Sequence, residues 1–553
     1  MKKHLPHVLL LLIVCAIVFG FKLGDYDFWG RHGEARRAEV SREMVVSGNW
    51  LVPHLNGEPF VTKPPLYYWA AAAMFELTGR FDELSARIPS VIAGTLGVFV
   101  TYCWANAMFS ARIGCFAGII LATSFLYGGM ARTAGLDMML TLFTTAALYF
   151  FTLGYLRRQI AANLSGKWNL STGMYLLSAF CIGLATMTKN PIGFAVPLLA
   201  IGAFILLTRD FKLLLETKPW WLLLVFLLVV LPWFVMVYAR VPDFFDILHQ
   251  ETLGRYIDPE GTPHYEPFYY YIPALGAFAP WVIFLPGMII SLISKKLHQI
   301  SRSHLLIIVA SVTTFLLFSS VGSKREYYLL PIYPFLAILV AKYWDEYLEI
   351  KRTTNARWIE KGMAIPFAGF AGLLCLVGVA LPMAAHIYLP AYLLLSVLFG
   401  LLFLASGMFL FHWLLHGNVS GTFAVFSIAT ILIYVFVLLT IVPETNVYRS
   451  RKTFFNEVAA IAGEHKIIDY NYEGFDAQFY LQRIVPVAKE IEDLAAFADL
   501  QKPVFIIMTS EQYDHLQQNV PELAHTFEQV LQRTWRSAIN PGRTRSLVLL
   551  KTL

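Results

Sequence analysis

Between Gly33 and Met44 the chain reads Gly-Glu-Ala-Arg-Arg-Ala-Glu-Val-Ser-Arg-Glu-Met, and Lys63-Pro64-Pro65-Leu66 follows. A carboxylate, Glu34, therefore lies beside two guanidiniums, Arg36 and Arg37. Moving a group off a phosphate and onto an oxygen or nitrogen needs a base for the nucleophile and cations for the departing phosphate. Glu34 with Arg36 and Lys63 could supply both. The same residues also read as an amphipathic surface helix with ion pairs such as Glu34–Arg37, and spacing alone leaves both readings open.

Six further residues, at four places along the chain, are candidates beside apolar runs. Asp137 opens one such run. A helix N-terminus stabilises an acid there, but an acid at the membrane edge is costly and so favours a functional reading. Lys189 separates two apolar runs, where it could snorkel to the interface or meet a phosphate. Arg255 and His264 lie in a loop that leads into the aromatic stretch Tyr265–Tyr271. A lone His is a weak metal signal; no metal site is assigned, although a divalent ion stays possible. Lys324-Arg325 pairs a point charge with a bidentate fork, a combination suited to a phosphate or pyrophosphate headgroup.

The elements that must position these residues are membrane helices. Of 553 residues 57% are hydrophobic and 14% charged, against about 25% charged in soluble proteins. Thirteen runs approach the roughly 20 apolar residues that a crossing needs: 7–22, 88–108, 114–130, 138–156, 172–187, 191–208, 219–239, 271–294, 304–320, 327–344, 362–384, 389–415 and 421–443. With the N-terminus inside, basic residues recur in alternate loops: Arg112, Arg157-Arg158, Arg209, Lys295-Lys296 and Lys351-Arg352. That pattern follows the positive-inside rule. The expected protein is a polytopic α-helical membrane protein of about 13 helices, with its N-terminus cytoplasmic. The first run reads as a retained helix, since no small-residue cleavage site follows it.

The expected membrane module covers 1–443, with a large first outer loop at 22–87. Residues 444–553 read as a small α/β domain on the outer, periplasmic face. Its strand-like stretches are Lys466–Asp469, Val485–Val487, Val504–Met508 and Ser546–Leu550, between helix-like Glu490–Asp499 and Ser510–Gln518. The five cysteines lie in apolar stretches without ligand spacing and read as core residues. The formal charge of +6 suits cytoplasmic loops and lipid phosphates, not nucleic acid.

The first outer loop resembles that of the GT-C glycosyltransferases, in the branch of the aminoarabinose transferases and protein-mannosyltransferase-like enzymes. Glu34, Arg36, Ala38-Glu39, Arg42-Glu43-Met44, Trp50, Pro53, Asn56-Gly57 and Lys63-Pro64-Pro65-Leu66 carry the resemblance. The segment Lys324–Pro334, with Tyr327-Tyr328, is similar to that family's Lys-x-x-Tyr-Tyr-x-Leu-Pro-x-Tyr-Pro. Departures are Gly33 where the family has its leading Asp, Arg37 for a Tyr, Phe60 for another Tyr, and Thr62 for a Glu. The resemblance implies a membrane glycosyltransferase that takes its sugar from a polyprenyl-phosphate donor and passes it, with inversion, to lipid A or another envelope acceptor at the periplasmic face of the bacterial inner membrane. Glu34 or Asp137 would activate the acceptor, with Asp27 or Asp25 as substitutes for the missing Asp. Arg36, Lys63, Lys189, Arg255, His264, Lys324, Arg325 and Tyr328 would bind substrate. A monomer is expected. The competing classes are a lipid-linked-sugar flippase, for which inverted repeats and paired broken helices are missing, and a homologue with altered activity that binds lipid. No Gly-rich phosphate loop or paired Asp-x-Asp supports a nucleotide-sugar donor.

Overall fold

The structure is a computed structural model. It describes residues 4–29, 33–161, 170–251, 265–294, 300–353, 357–416, 418–472, 474–498, 503–536 and 544–553. Contacts divide the chain into two compact units. The first comprises 1–21, 62–67 and 89–437; the second comprises 22–61, 68–88 and 438–553.

The first unit is helical. Counted over the whole described chain, nine helices are long and apolar enough to cross a membrane, or up to eleven if each of two bent pairs is one span. The bent pairs are Ala111–Thr123 with Phe125–Ala131, at 70°, and Phe268–Phe278 with Trp281–Ser294, at 110°. Leu5–Gly20 and Ile192–Thr208 are apolar but shorter, so length alone admits fewer crossings than the thirteen apolar runs suggest. Each run nevertheless falls on one of these helices or pairs. Small residues permit the tightest approaches: a Cβ on Gly193 would sit 2.2 Å from the backbone of Ala185. Trp281, Trp344, Phe367, Phe423 and Phe426 interlock as an aromatic core. Arg132, 4% exposed, donates to the carbonyls of Val18 and Phe19. It thereby caps groups that the end of the first helix leaves without intrahelical partners.

The second unit joins segments far apart in sequence. Its sheet is built from β3 (Ile467–Tyr470), β4 (Val487–Ala488), β5 (Phe505–Thr509), β6 (Phe527–Arg536) and β7 (Thr544–Thr552), in the order β4-β3-β5-β7-β6. The β3–β4 and β3–β5 pairs are parallel; β7 runs antiparallel to both neighbours. One face of the sheet packs on Phe454, Phe455 and Val458, and the other on Leu494, Tyr513 and Leu516. The helix Glu34–Ser47 belongs to this unit. It is not a surface helix, since Glu34, Arg37, Glu39, Arg42 and Glu43 are all buried. Arg42 grips both oxygens of Glu39 at 2.7 and 2.8 Å. The Glu43 carboxylate accepts from the N–H groups of Asn56 and Gly57, the two positive-φ residues that turn β1 (His54–Leu55) into β2 (Glu58–Pro59). Asn56 in turn exchanges two hydrogen bonds with the backbone of Val485.

Asp469, 2% exposed on β3, accepts from the Tyr472 N–H at 2.8 Å. Burial pushes its carboxyl up to about 6, and Asp476 adds to the shift. The folded form therefore prefers the protonated acid. Stability from this group is full below about pH 4, falls as pH rises to about 6, and is flat above. The loss amounts to about 3 kcal/mol for a shift of this size. Asp469→Asn keeps the acceptor and should flatten that slope. Thermal unfolding of both proteins in detergent between pH 4 and 7 checks it; parallel slopes would refute it.

Candidate active site

Asp137 stands in the first turn of Leu136–Ala161, 2% exposed. Lys189 follows the end of Leu170–Thr188. Its Nζ donates to Asp137 Oδ1 at 2.9 Å and lies 4.1 Å from the centre of the Tyr328 ring. Burial opposes the charge on Lys189, but Asp137 and Tyr328 outweigh it and raise its affinity for the proton. Three residues singled out from the sequence in separate loops thus meet in the first unit, as a carboxylate, an ammonium and an aromatic face.

Lys324 and Arg325 precede the turn Glu326–Ile332 that carries Tyr328. Lys324 is 4% exposed, and its Nζ donates to the Glu266 carbonyl at 2.7 Å. Two contacts join the strands of chain here: Tyr265 bridges to Ser323, and the Glu266 N–H donates to the Gly322 carbonyl. Among the described residues neither Lys324 nor Arg325 forms a salt bridge. Burial lowers the pKa of the Lys324 ammonium, and the Glu266 charge only partly offsets this. Arg325 donates to the Tyr327 hydroxyl at 3.0 Å. Lys63 is instead paired, with Glu251 Oε2 at 2.6 Å. Arg255 and His264 lie outside the described residues. Among those described, no three His, Cys, Asp or Glu side chains group to hold a metal ion.

In the second unit Glu34 meets Arg87, which is fully buried. Arg87 Nε reaches one Glu34 oxygen at 3.0 Å and Nη2 the other at 3.3 Å. It also donates to the carbonyls of Leu23, Tyr26 and Asp27. The Arg36 guanidinium lies over Phe60 and Phe475, 5.6 and 5.4 Å from the ring centres. Gly33, where the resemblance expects an Asp, precedes this helix at φ 65°, a conformation that glycine adopts without strain.

The sequence reading missed Arg87 and Glu251. Arg87 did leave a signal, since Glu83 and Arg87 stand one turn apart just before an apolar run, where charge is expensive unless paired. Glu251 sits beside an unremarkable loop and left none.

Residues 8–248 match the family described as dolichyl-phosphate-mannose-protein mannosyltransferase, and 265–398 match the Alg9-like mannosyltransferase family. Among curated relatives, the undecaprenyl phosphate-alpha-4-amino-4-deoxy-L-arabinose arabinosyl transferase of Edwardsiella ictaluri is 32% identical over 348 residues, 62% of this chain and 59% of that one. Its counterpart from Serratia proteamaculans is 30% identical over 375 residues, 67% of this chain and 64% of that one. These matches span about three fifths of each relative's length. Among solved structures, ArnT from Cupriavidus metallidurans bound to undecaprenyl phosphate superposes with a TM-score of 0.76 at 22% identity, over 99% of this chain and 98% of that one. The archaeal oligosaccharyltransferase AglB from Archaeoglobus fulgidus, in complex with an inhibitory peptide and a dolichol-phosphate, gives 0.52 at 12% identity, over 98% and 74%.

Proposed function

We propose that this chain is a glycosyltransferase of the GT-C type that moves a sugar from an undecaprenyl-phosphate donor to an envelope acceptor, with lipid A as the first candidate, on the periplasmic side of the bacterial inner membrane; its matches to mannosyltransferase families and arabinosyl transferases support this. In this reading the chain crosses thirteen times, starts in the cytoplasm, and carries 444–553 outside.

One observation carries the reading: Lys324 is buried beside Arg325, and neither has a carboxylate partner among the described residues. A buried ammonium without a counter-ion is costly, and an anionic ligand would complete it. A lipid phosphate held by Lys324 and Arg325 supplies that anion, with Lys189 and Lys63 adding charge as the phosphate leaves. The acceptor oxygen attacks the anomeric carbon, the bond from that carbon to the phosphate oxygen breaks, and polyprenyl phosphate departs with the electron pair. Configuration inverts.

Both candidate carboxylates, Glu34 and Asp137, are already engaged by cations, Arg87 and Lys189. That suits an acceptor whose attacking oxygen is already anionic, as on a phosphate monoester. We assign Asp137 to hold Lys189 and to offset positive charge at the anomeric centre, and Glu34 to anchor the helix that bears Arg36.

Lys324→Gln should raise the donor KM about tenfold, the scale of one charge-assisted hydrogen bond. In the parent, donor affinity should fall as pH rises through the depressed Lys324 pKa, below the ordinary lysine range. Lys324→Arg should stay flat across that interval. Transfer from undecaprenyl-phosphate aminoarabinose to lipid A, followed from pH 7 upward, tests this. An unchanged KM in Lys324→Gln removes the phosphate role.

A further inference from the structure

Residues 23–29 form no helix or strand, so their backbone groups need partners from elsewhere. Side chains supply them from two sides. Arg87 takes the carbonyls of Leu23, Tyr26 and Asp27. Asn446 Oδ1 accepts from the Asp27 N–H at 2.9 Å and from the Trp29 indole at 2.8 Å, while its amide donates to Asp27 Oδ2. The Tyr480 hydroxyl accepts from the Phe28 N–H at 2.9 Å and donates to Glu83 Oε1 at 3.0 Å. Lys452 Nζ closes the set on both Glu83 oxygens, at 2.9 and 3.0 Å, and stands 3.5 Å from Asp27. Glu83 is 3% exposed. Its neighbour one turn on, Arg87, grips Glu34, the first residue of the helix that bears Arg36.

We propose that Lys452, Glu83 and Tyr480 are positioning residues: through Arg87 and the segment 23–29 they set the start of the Glu34–Ser47 helix for transfer. The inference rests on the glycosyltransferase reading. It makes the segment from Leu438 onward part of the working enzyme, since Asn446, Lys452 and Tyr480 all come from it. The proton affinity of Lys452 is raised, as Glu83 and Asp27 outweigh its burial, so the brace keeps its charge across the neutral range.

Tyr480→Phe removes one hydroxyl and keeps the ring packed on Phe455 and Phe28. In the full-length protein in detergent, amide exchange at Phe28 should accelerate roughly tenfold, the effect of losing one hydrogen bond. With undecaprenyl-phosphate aminoarabinose as donor and lipid A as acceptor, kcat should fall about tenfold while the donor KM stays within about twofold, as expected when geometry and not binding is lost. Lys452→Met should lower kcat in the same way, and Lys452→Arg should recover most of it, which a loss of packing alone would not predict. Parental exchange in Tyr480→Phe, or parental kcat despite faster exchange, overturns the positioning role while leaving the transferase reading intact. A parent protein that transfers no sugar from this donor overturns the transferase reading, and the positioning role falls with it.

Discussion

Asp137→Asn should lower sugar transfer on the order of 10²–10³-fold, the range for removing one preorganised electrostatic group from an active site. Asp137 and Lys189 form a largely buried pair at 2.9 Å, with side chains 2% and 16% exposed. The substitution therefore does two things: it removes a negative charge from the proposed reaction centre, and it leaves the ammonium without its counter-ion. Stranding one partner of a buried pair costs about 3–5 kcal/mol, so loss of folding could pass for loss of chemistry. The double variant Asp137→Asn, Lys189→Gln separates the two. It leaves no stranded charge and should regain most of the melting temperature, yet it should remain inactive. Transfer assays beside thermal unfolding in detergent check both parts. Transfer by Asp137→Asn within a few-fold of the parent would reduce Asp137 to an acid stabilised at a helix N-terminus.

Arg87→Met should destabilise the protein by about 3–5 kcal/mol, the largest stability effect expected for a single change outside the apolar core. The guanidinium is fully buried and serves five acceptors: three carbonyls and both oxygens of Glu34. Methionine fills much of the volume but leaves Glu34 and the carbonyls of Leu23, Tyr26 and Asp27 without that donor. Arg87→Lys should recover little, because one ammonium cannot reproduce a planar fork of donors. The melting temperature of each variant, with protease cleavage after Lys22 and Arg36 as a local probe, measures the effect. A parental melting temperature in Arg87→Met would mean that Glu34 and the 23–29 backbone are held by other groups.

Both Asp137 and Arg87 depend on partners far away in the chain. Hydropathy is a local quantity, because the free energy of moving a helix into lipid is close to a sum over some twenty consecutive residues. The thirteen apolar runs could therefore be located from composition, and each falls on a helix or a bent pair of helices. Period-two alternation and apolar bursts located β3, β5 and β7 for the same local reason. β6 escaped because most of Phe527–Arg536 is exposed and polar, which leaves no apolar face to detect. The charged loop around Glu34 was legible as residue types and as a family resemblance, but its burial was not. Several ionised groups on one short helix read as a surface until partners from elsewhere are known.

What the sequence by itself determined is the membrane class, the position of the apolar segments, and the set of charged residues that stand out at their ends. What only the tertiary structure decided is pairing. Glu34 met Arg87 across 53 positions, and Lys452 met Glu83 across 369. Lys189 met Asp137 across 52, while Lys324 kept no carboxylate partner among the described residues. The physical reason is that the energy of a charge depends on what surrounds it within a few ångströms. Packing sets those surroundings by bringing distant segments together, so whether a carboxylate is a base, an anchor or a counter-ion cannot be read from its own stretch of chain.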